Sequence, residues 1–149
     1  MELFHDYIQD GRIKLREKIK EPTTVQDPCN VARSGGLGEA NRRLAEMLSE
    51  DFRPMKYQGN YNYCCGGGGG AMPMGGEMKK HRLKCGTIKA DQIKETGAKI
   101  VFVPCHNCID QIRDLAKTYE LDFKAIHFKE AITEHMEIPE EMIPKEEDE

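Results

Sequence analysis

The sequence predicts an α/β domain: an open, mainly parallel sheet of about four strands with flanking helices and cysteine-bearing loops at the carboxyl ends of the strands. Two patterns point there. Short apolar runs alternate with helical stripes along most of the chain, and "KIVFVP" at Lys99–Pro104 is a continuous apolar run of the kind buried on both faces of a parallel sheet. In addition, most of the six cysteines fall just after strand-like runs, where open α/β sheets gather their ligand sites.

Leu3, Phe4, Tyr7 and Ile8 recur at helical spacing before Gly11, and Ile13 and Leu15 then alternate with charged residues like a short strand. Residues 1–22 are therefore expected to form a helix and connector. The regular pattern begins at Thr23. "TTVQ" and "FRPMKY" look like strands, and between them Ala40, Leu44, Met47 and Leu48 form an amphipathic stripe. A second helix is expected from Glu77 to Glu95, ending near Gly97 and leading into "KIVFVP". Cys108, Ile112, Leu115, Ala116 and Tyr119 line one face of the next helix, "FKAIHF" supplies a fourth strand, and a short helix from Lys129 to about Met136 closes the unit 23–136. The remaining residues, 137–149, carry seven acids against one lysine and two prolines, which predicts a mobile tail.

At 149 residues the chain fits one domain, and its 38% hydrophobic share suggests a modest core to which a bound metal or partner contributes. A net charge of −4 gives no general basic field for nucleic acid. The apolar run at Ile100–Pro104 is too short to span a bilayer, and the N-terminus lacks the apolar segment of a secretory signal. A cytoplasmic location is expected, with membrane association through a partner. In a reducing compartment the cysteines favour metal or redox duty over a disulfide framework.

Five of them make a pattern: Cys29, then "CCG" at Cys64, Cys65 and Gly66, then "CHNC" at Cys105–Cys108. Thiolates select zinc, copper(I) or iron–sulfur centres. A structural zinc is closed by four ligands, so five converging thiols leave one over, and adjacent cysteines chelate one small ion awkwardly but can reach two irons of a cluster. This chemistry favours a cluster and leaves zinc as the alternative. Gly66, Gly67 and Gly68 would let backbone N–H groups approach an anionic centre; a flexible linker would use the same glycines. The run lacks the Gly-Lys-Ser/Thr ending of a nucleotide loop. Two metal-free readings remain open: a thioredoxin-like Cys105/Cys108 pair, which leaves three cysteines unused, and a disulfide switch between vicinal Cys64 and Cys65 and the Cys105 pair, which strains the adjacent-residue bond.

Outside the five, Cys85 shares a helical face with Met78 and Ile88 and is expected to be a buried structural thiol. Arg33 could bind an anionic substrate or offset cluster charge, and His106, between two candidate ligands, could donate a proton to a leaving thiolate. Asp27 and Pro28 read as turn residues that aim Cys29.

The segments "DPCNVARSGG", "YCCGGGGG" and "CHNC", in that order, resemble the cysteine-rich CCG domain of the heterodisulfide reductase B and D subunits, over about Thr23 to Met136. Among relatives the likeness is greatest to D-type subunits of transmembrane redox complexes in sulfate-reducing microbes. The resemblance implies that Cys29, Cys64, Cys65, Cys105 and Cys108 hold a noncubane 4Fe-4S cluster that cleaves a disulfide or oxidises a dithiol. It also implies electron-transfer subunits, a ferredoxin-like domain or a membrane cytochrome subunit as partners. Some members of the family are thought to hold zinc. The chain departs from the B-type pattern in having one CCG motif rather than two, and from the D-type pattern in lacking the Cys-x-x-Cys-x-x-Cys segment. A fragment, or a subunit needing a partner, is therefore expected.

Overall fold

The computed structural model describes residues 1–139 and residue 142. Its centre is a three-stranded, wholly parallel sheet in the order β1 (Thr23–Val25), β2 (Ile100–Phe102), β3 (Lys124–Ile126). Thr23 pairs with Ile100 and Val25 with Phe102, while Ile100 pairs with Lys124 and Phe102 with Ile126. The helices are α1 (Glu2–Gln9), α2 (Gly38–Leu48), α3 (Gly76–Cys85), α4 (Thr87–Thr96), α5 (His106–Thr118) and α6 (Phe128–His135).

The continuous apolar run of β2 is explained by burial on both faces. Val101 and Val103 pack with Ile93, Ile109, Ile112 and Leu115 from α4 and α5. Phe102 points the other way, into a cluster with Leu44 and Leu48 of α2 and Phe128 and Ile132 of α6. Phe102 and Phe128 stack with ring centroids 4.8 Å apart. Phe4, Ile8, Ile13 and Leu15 pack against this second cluster, so the first 22 residues lie on the sheet's α2/α6 face.

Two elements differ from the sequence reading. "FRPMKY" contributes a single parallel bridge, Phe52 to Thr23, made by Thr23 N–H to Asp51 O and Arg53 N–H to Thr23 O. Pro54 follows at once and, with its fixed φ and missing N–H, does not extend the ladder. The helix expected over 77–95 is broken at Gly86 into α3 and α4. A Cβ on Gly86 would lie 2.8 Å from Leu115 Cδ2, 2.9 Å from Gln111 Nε2 and 3.1 Å from the Cys65 carbonyl, so the chain turns where backbone must press against α5 and the cysteine loop. Helix α4 ends as expected at Gly97, which takes φ +66°. The expected mobile tail falls, apart from 137–139 and 142, outside the described residues.

Candidate metal centre

Because β1 and β2 are parallel neighbours, their carboxyl ends open on the same edge of the domain, and the loops that leave them carry Cys29 and Cys105. Cys105 caps α5 and Cys108 sits in its first turn, where the helix dipole favours negative charge. The segment 58–67, between α2 and α3, brings Cys64 and Cys65 to this edge.

That segment is fixed by polar groups from the Cys29 loop. Asp27, 3% exposed, accepts from the Gly59 N–H at 2.6 Å and from Arg42 Nη2 at 2.5 Å. Its carbonyl accepts from Asn62 Nδ2 at 2.9 Å. Arg33, on a π-helical turn at Asn30–Ser34, donates Nε to the Asn60 carbonyl at 3.2 Å and Nη2 to the Asn62 carbonyl at 2.5 Å. Asp27 thus does more than turn the chain: it ties the first cysteine loop to the second.

The adjacent thiols diverge. Cys64 Sγ lies 3.9 Å from Cys29 Sγ, and Cys65 Sγ lies 3.3 Å from Cys108 Sγ. Gly66 N–H donates to Cys64 Sγ at 3.3 Å and Gly67 N–H to Cys65 Sγ at 3.4 Å. Gly66 takes φ +89°, a conformation that side chains disfavour. A Cβ on Gly67 would come within 2.7 Å of the Asn107 carbonyl, whereas one on Gly68 would meet nothing within 4 Å. Cys105 packs against the apolar cluster that contains Cys65 and Cys108. All six cysteines are free thiols.

Close packing disfavours ionisation of Cys64 and Cys65. Contact with the Cys108 thiol, then burial, pushes Cys65 up to about 12, with Cys64 and the Gly67 N–H pulling the other way. Cys64 is also raised, first by Cys65 and then by burial. Such a set becomes thiolate when a cation is supplied among its members, which soft metal ions do. The donor set fits a thiolate-held metal centre. Among the described residues, no three His, Cys, Asp or Glu side chains are gathered into a ready-made cage for one ion.

Beneath the rim lies a layer that the sequence reading missed. Arg82 of α3 donates Nη1 to Gln111 Oε1 and Nη2 to Asp114 Oδ2, the latter at 2.6 Å, and Gln111 Nε2 returns a bond to the Arg82 carbonyl. Gly66 rests on this clasp, its Cβ position 3.2 Å from the Arg82 carbonyl and 3.3 Å from Gln111 Nε2. Lys89 of α4 is 1% exposed, with Nζ 3.6 Å from Met55 Sδ. The available signal was phase: Lys89 sits at i−4 from Ile93, on the face of α4 that is buried.

Cys85 requires correction. It is exposed, as are Met78 and Ile88, because the inward face of α3 and α4 carries Leu83, Lys89, Ala90 and Ile93. His106 is exposed, with Nε2 3.9 Å from Asp110 Oδ2 on the next turn.

The cysteine-rich CCG domain family model matches residues 23–113. The chain is 29% identical over 110 residues to the D-type polypeptide of the dihydromethanophenazine:CoB–CoM heterodisulfide reductase of Methanosarcina barkeri, covering 73% of this chain and 26% of that polypeptide. The corresponding polypeptide of Methanosarcina mazei is 33% identical over 70 residues, 46% of this chain and 17% of that one. The EtfAB:quinone oxidoreductase of Syntrophomonas wolfei is 22% identical over 125 residues, 81% of this chain and 18% of the relative. The chain thus spans about a quarter or less of the curated relatives it matches.

Proposed function

The chain belongs to the CCG cysteine-rich domain family, and on that premise we propose that it is the iron–sulfur redox module of a heterodisulfide reductase-like assembly. Cys29, Cys64, Cys65, Cys105 and Cys108 are its ligands, and the unit 23–136 is the part that holds the centre. A noncubane 4Fe-4S cluster, when bound, supplies single electrons to a disulfide or takes them from a dithiol. The divergence of Cys64 toward Cys29 and of Cys65 toward Cys108 carries this reading, because two adjacent thiols directed at different partners suit a centre with more than one metal atom.

The chain's own residues prepare the site. The N–H groups of Gly66 and Gly67 temper negative charge on the two adjacent sulfurs. Arg33 has two of its nitrogens on backbone carbonyls, so it positions the 60–62 segment and presents the rest of its guanidinium toward an anionic substrate. His106, exposed beside two ligands, gives a proton to a thiolate as it leaves. Heterodisulfide reductase in the names of two relatives supports a disulfide or dithiol as the substrate class. Both those relatives and the quinone oxidoreductase support electron-transfer partners: further subunits, a ferredoxin-like domain or a membrane cytochrome subunit. Among the described residues no helix is long and apolar enough to cross a membrane, and a cytoplasmic site docked on such a partner is the proposed location.

Protein purified without oxygen and then oxidised should give a paramagnetic iron–sulfur signal, and single Cys→Ser changes at each of the five positions should each reduce metal retention. Stoichiometric zinc, with full retention after loss of one particular cysteine, would overturn the cluster in favour of a zinc-stabilised interaction module.

A further inference from the structure

One side chain forms the seat under the Cys64–Gly67 turn. Gln111 lies in α5 three residues after Cys108, one helical turn further on and on the same side of the helix, and it is fully buried. Three glycines close on it. A Cβ on Gly66 would lie 3.3 Å from its Nε2, one on Gly86 2.9 Å from the same atom, and one on Gly67 2.8 Å from its Cβ. At each of these positions Gln111 takes the room that a side chain would need, so backbone rests directly on it.

The amide of Gln111 is locked from both ends by one residue. Its Oε1 accepts from Arg82 Nη1, and its Nε2 donates to the Arg82 carbonyl at 3.2 Å. The same carbonyl accepts the Gly86 N–H at 2.9 Å and lies 3.2 Å from the Cβ position of Gly66. Asp114 Oδ2 holds the other arm of the guanidinium at 2.6 Å. The end of α3, the second turn of α5 and the cysteine turn therefore meet at Gln111. A side chain there must accept on one side and donate on the other to satisfy both ends of Arg82, which an amide does and a carboxylate or an alkyl group does not.

The consequence reaches three sulfurs. Gly66 and Gly67, which sit on Gln111, are the residues whose N–H groups donate to Cys64 Sγ and Cys65 Sγ. Cys65 Sγ is in turn 3.3 Å from the sulfur of Cys108, which the same helix carries. We propose that Gln111 is a positioning residue of the metal centre: its amide, clamped by Arg82, sets the height of the Cys64–Gly67 turn above α5 and so brings Cys64 and Cys65 into register with Cys108. This rests on the reading of those cysteines as metal ligands, and it adds a residue that touches neither metal nor substrate. Asp27 and Arg33 fix the segment from the Cys29 side, and Gln111 fixes it from the α5 side.

The test uses the whole chain, reduced and metal-free, with cadmium as probe. Cadmium affinity is measured by thiolate-to-metal charge-transfer absorption in competition with a chelator, at a temperature where the proteins are folded. The parent is compared with Gln111→Leu, Gln111→Glu and Ile132→Val, and thermal unfolding of the metal-free proteins is recorded alongside. Gln111→Leu should bind cadmium about tenfold more weakly than the parent, or worse, as loss of a group that orients metal ligands does. Gln111→Glu still accepts from Arg82 but turns an oxygen on the Arg82 carbonyl, and should be weakened likewise. Ile132→Val, in the core cluster on the other face of the sheet, should melt below the parent and bind cadmium as the parent does.

A merely structural glutamine predicts lower melting temperatures with no loss of affinity in the folded variants. Parent-like cadmium affinity in whichever Gln111 variant folds, or an equal loss of affinity in Ile132→Val, overturns the positioning role, as does failure of both Gln111 variants to fold. A parent protein that takes up no cadmium overturns the metal-centre reading itself, and the two failures are thereby told apart.

Discussion

Gly67 and Gly68 are neighbours in an unbroken run of five glycines, yet the structure gives alanine very different consequences at the two positions. A Cβ on Gly67 would lie 2.7 Å from the Asn107 carbonyl oxygen and 2.8 Å from Gln111 Cβ, both inside ordinary van der Waals distance. Neither atom is the free end of a flexible side chain, so the cysteine loop must lift from the first turns of α5. That displacement pulls Cys65 Sγ from Cys108 Sγ, now 3.3 Å away. Overpacking of this kind costs about 1–3 kcal/mol, and for a chain of this size it corresponds to a fall in Tm of roughly 2–12 °C. Gly68, with nothing within 4 Å of its Cβ position, should accept alanine with a change of about 0.5 kcal/mol or less. Thermal and urea unfolding of the two variants, paired with their metal content after anaerobic reconstitution, reads both effects. Equal melting temperatures and equal metal content for Gly67→Ala and Gly68→Ala would refute the close approach of loop and helix.

Other outcomes follow from the same geometry. Arg42→Met should leave the buried Asp27 carboxylate with the Gly59 N–H alone on its Oδ2, costing about 3 kcal/mol in urea unfolding and loosening the 58–62 segment to hydrogen exchange. The folded-state pKa of Lys89 is about 8 against an ordinary 10.5, so its burial penalty is fully present below pH 8. Above pH 8 the native state releases the proton before the unfolded state does, and the penalty fades by about pH 10.5. The stability advantage of metal-free Lys89→Met over the parent should therefore be largest below pH 8, shrink as pH rises and amount at most to about 3 kcal/mol; a pH-independent difference would contradict it. Cys85→Ser, at an exposed position, should change stability by less than about 0.5 kcal/mol, leave metal content untouched and remove one rapidly alkylated thiol.

The parts of the fold legible in the sequence were those set by burial pattern. "KIVFVP" is apolar at consecutive positions because Val101 and Phe102 face opposite clusters, and the stripe from Cys108 to Leu115 keeps helical phase because α5 packs on one of them. The gathering of cysteine loops followed from topology, since parallel neighbouring strands present their carboxyl ends together. What escaped depended on partners distant in sequence. Gly86 interrupts a helix because Leu115, Gln111 and the Cys65 carbonyl occupy the space of its side chain, and nothing near Gly86 announces those neighbours. Cys85, Met78 and Ile88 do share a face, but it is the outward one, because Leu83, Lys89, Ala90 and Ile93 carry the inward face of α3 and α4. Lys89 resembles any solvated lysine of a charged helix until its i−4 relation to Ile93 is set against the burial of that face. The difference between Gly67 and Gly68 is invisible in a run of identical residues.

If five cysteines hold one polynuclear iron–sulfur centre, its composition is countable. Iron, zinc and acid-labile sulfide should be determined on the same sample of protein purified and reconstituted without oxygen. The expected result is about four iron and about four sulfide per chain with negligible zinc, as a 4Fe-4S cluster requires. About one zinc per chain with no sulfide would contradict the iron–sulfur centre, since four thiolates suffice to close a zinc site and the fifth cysteine would have no role.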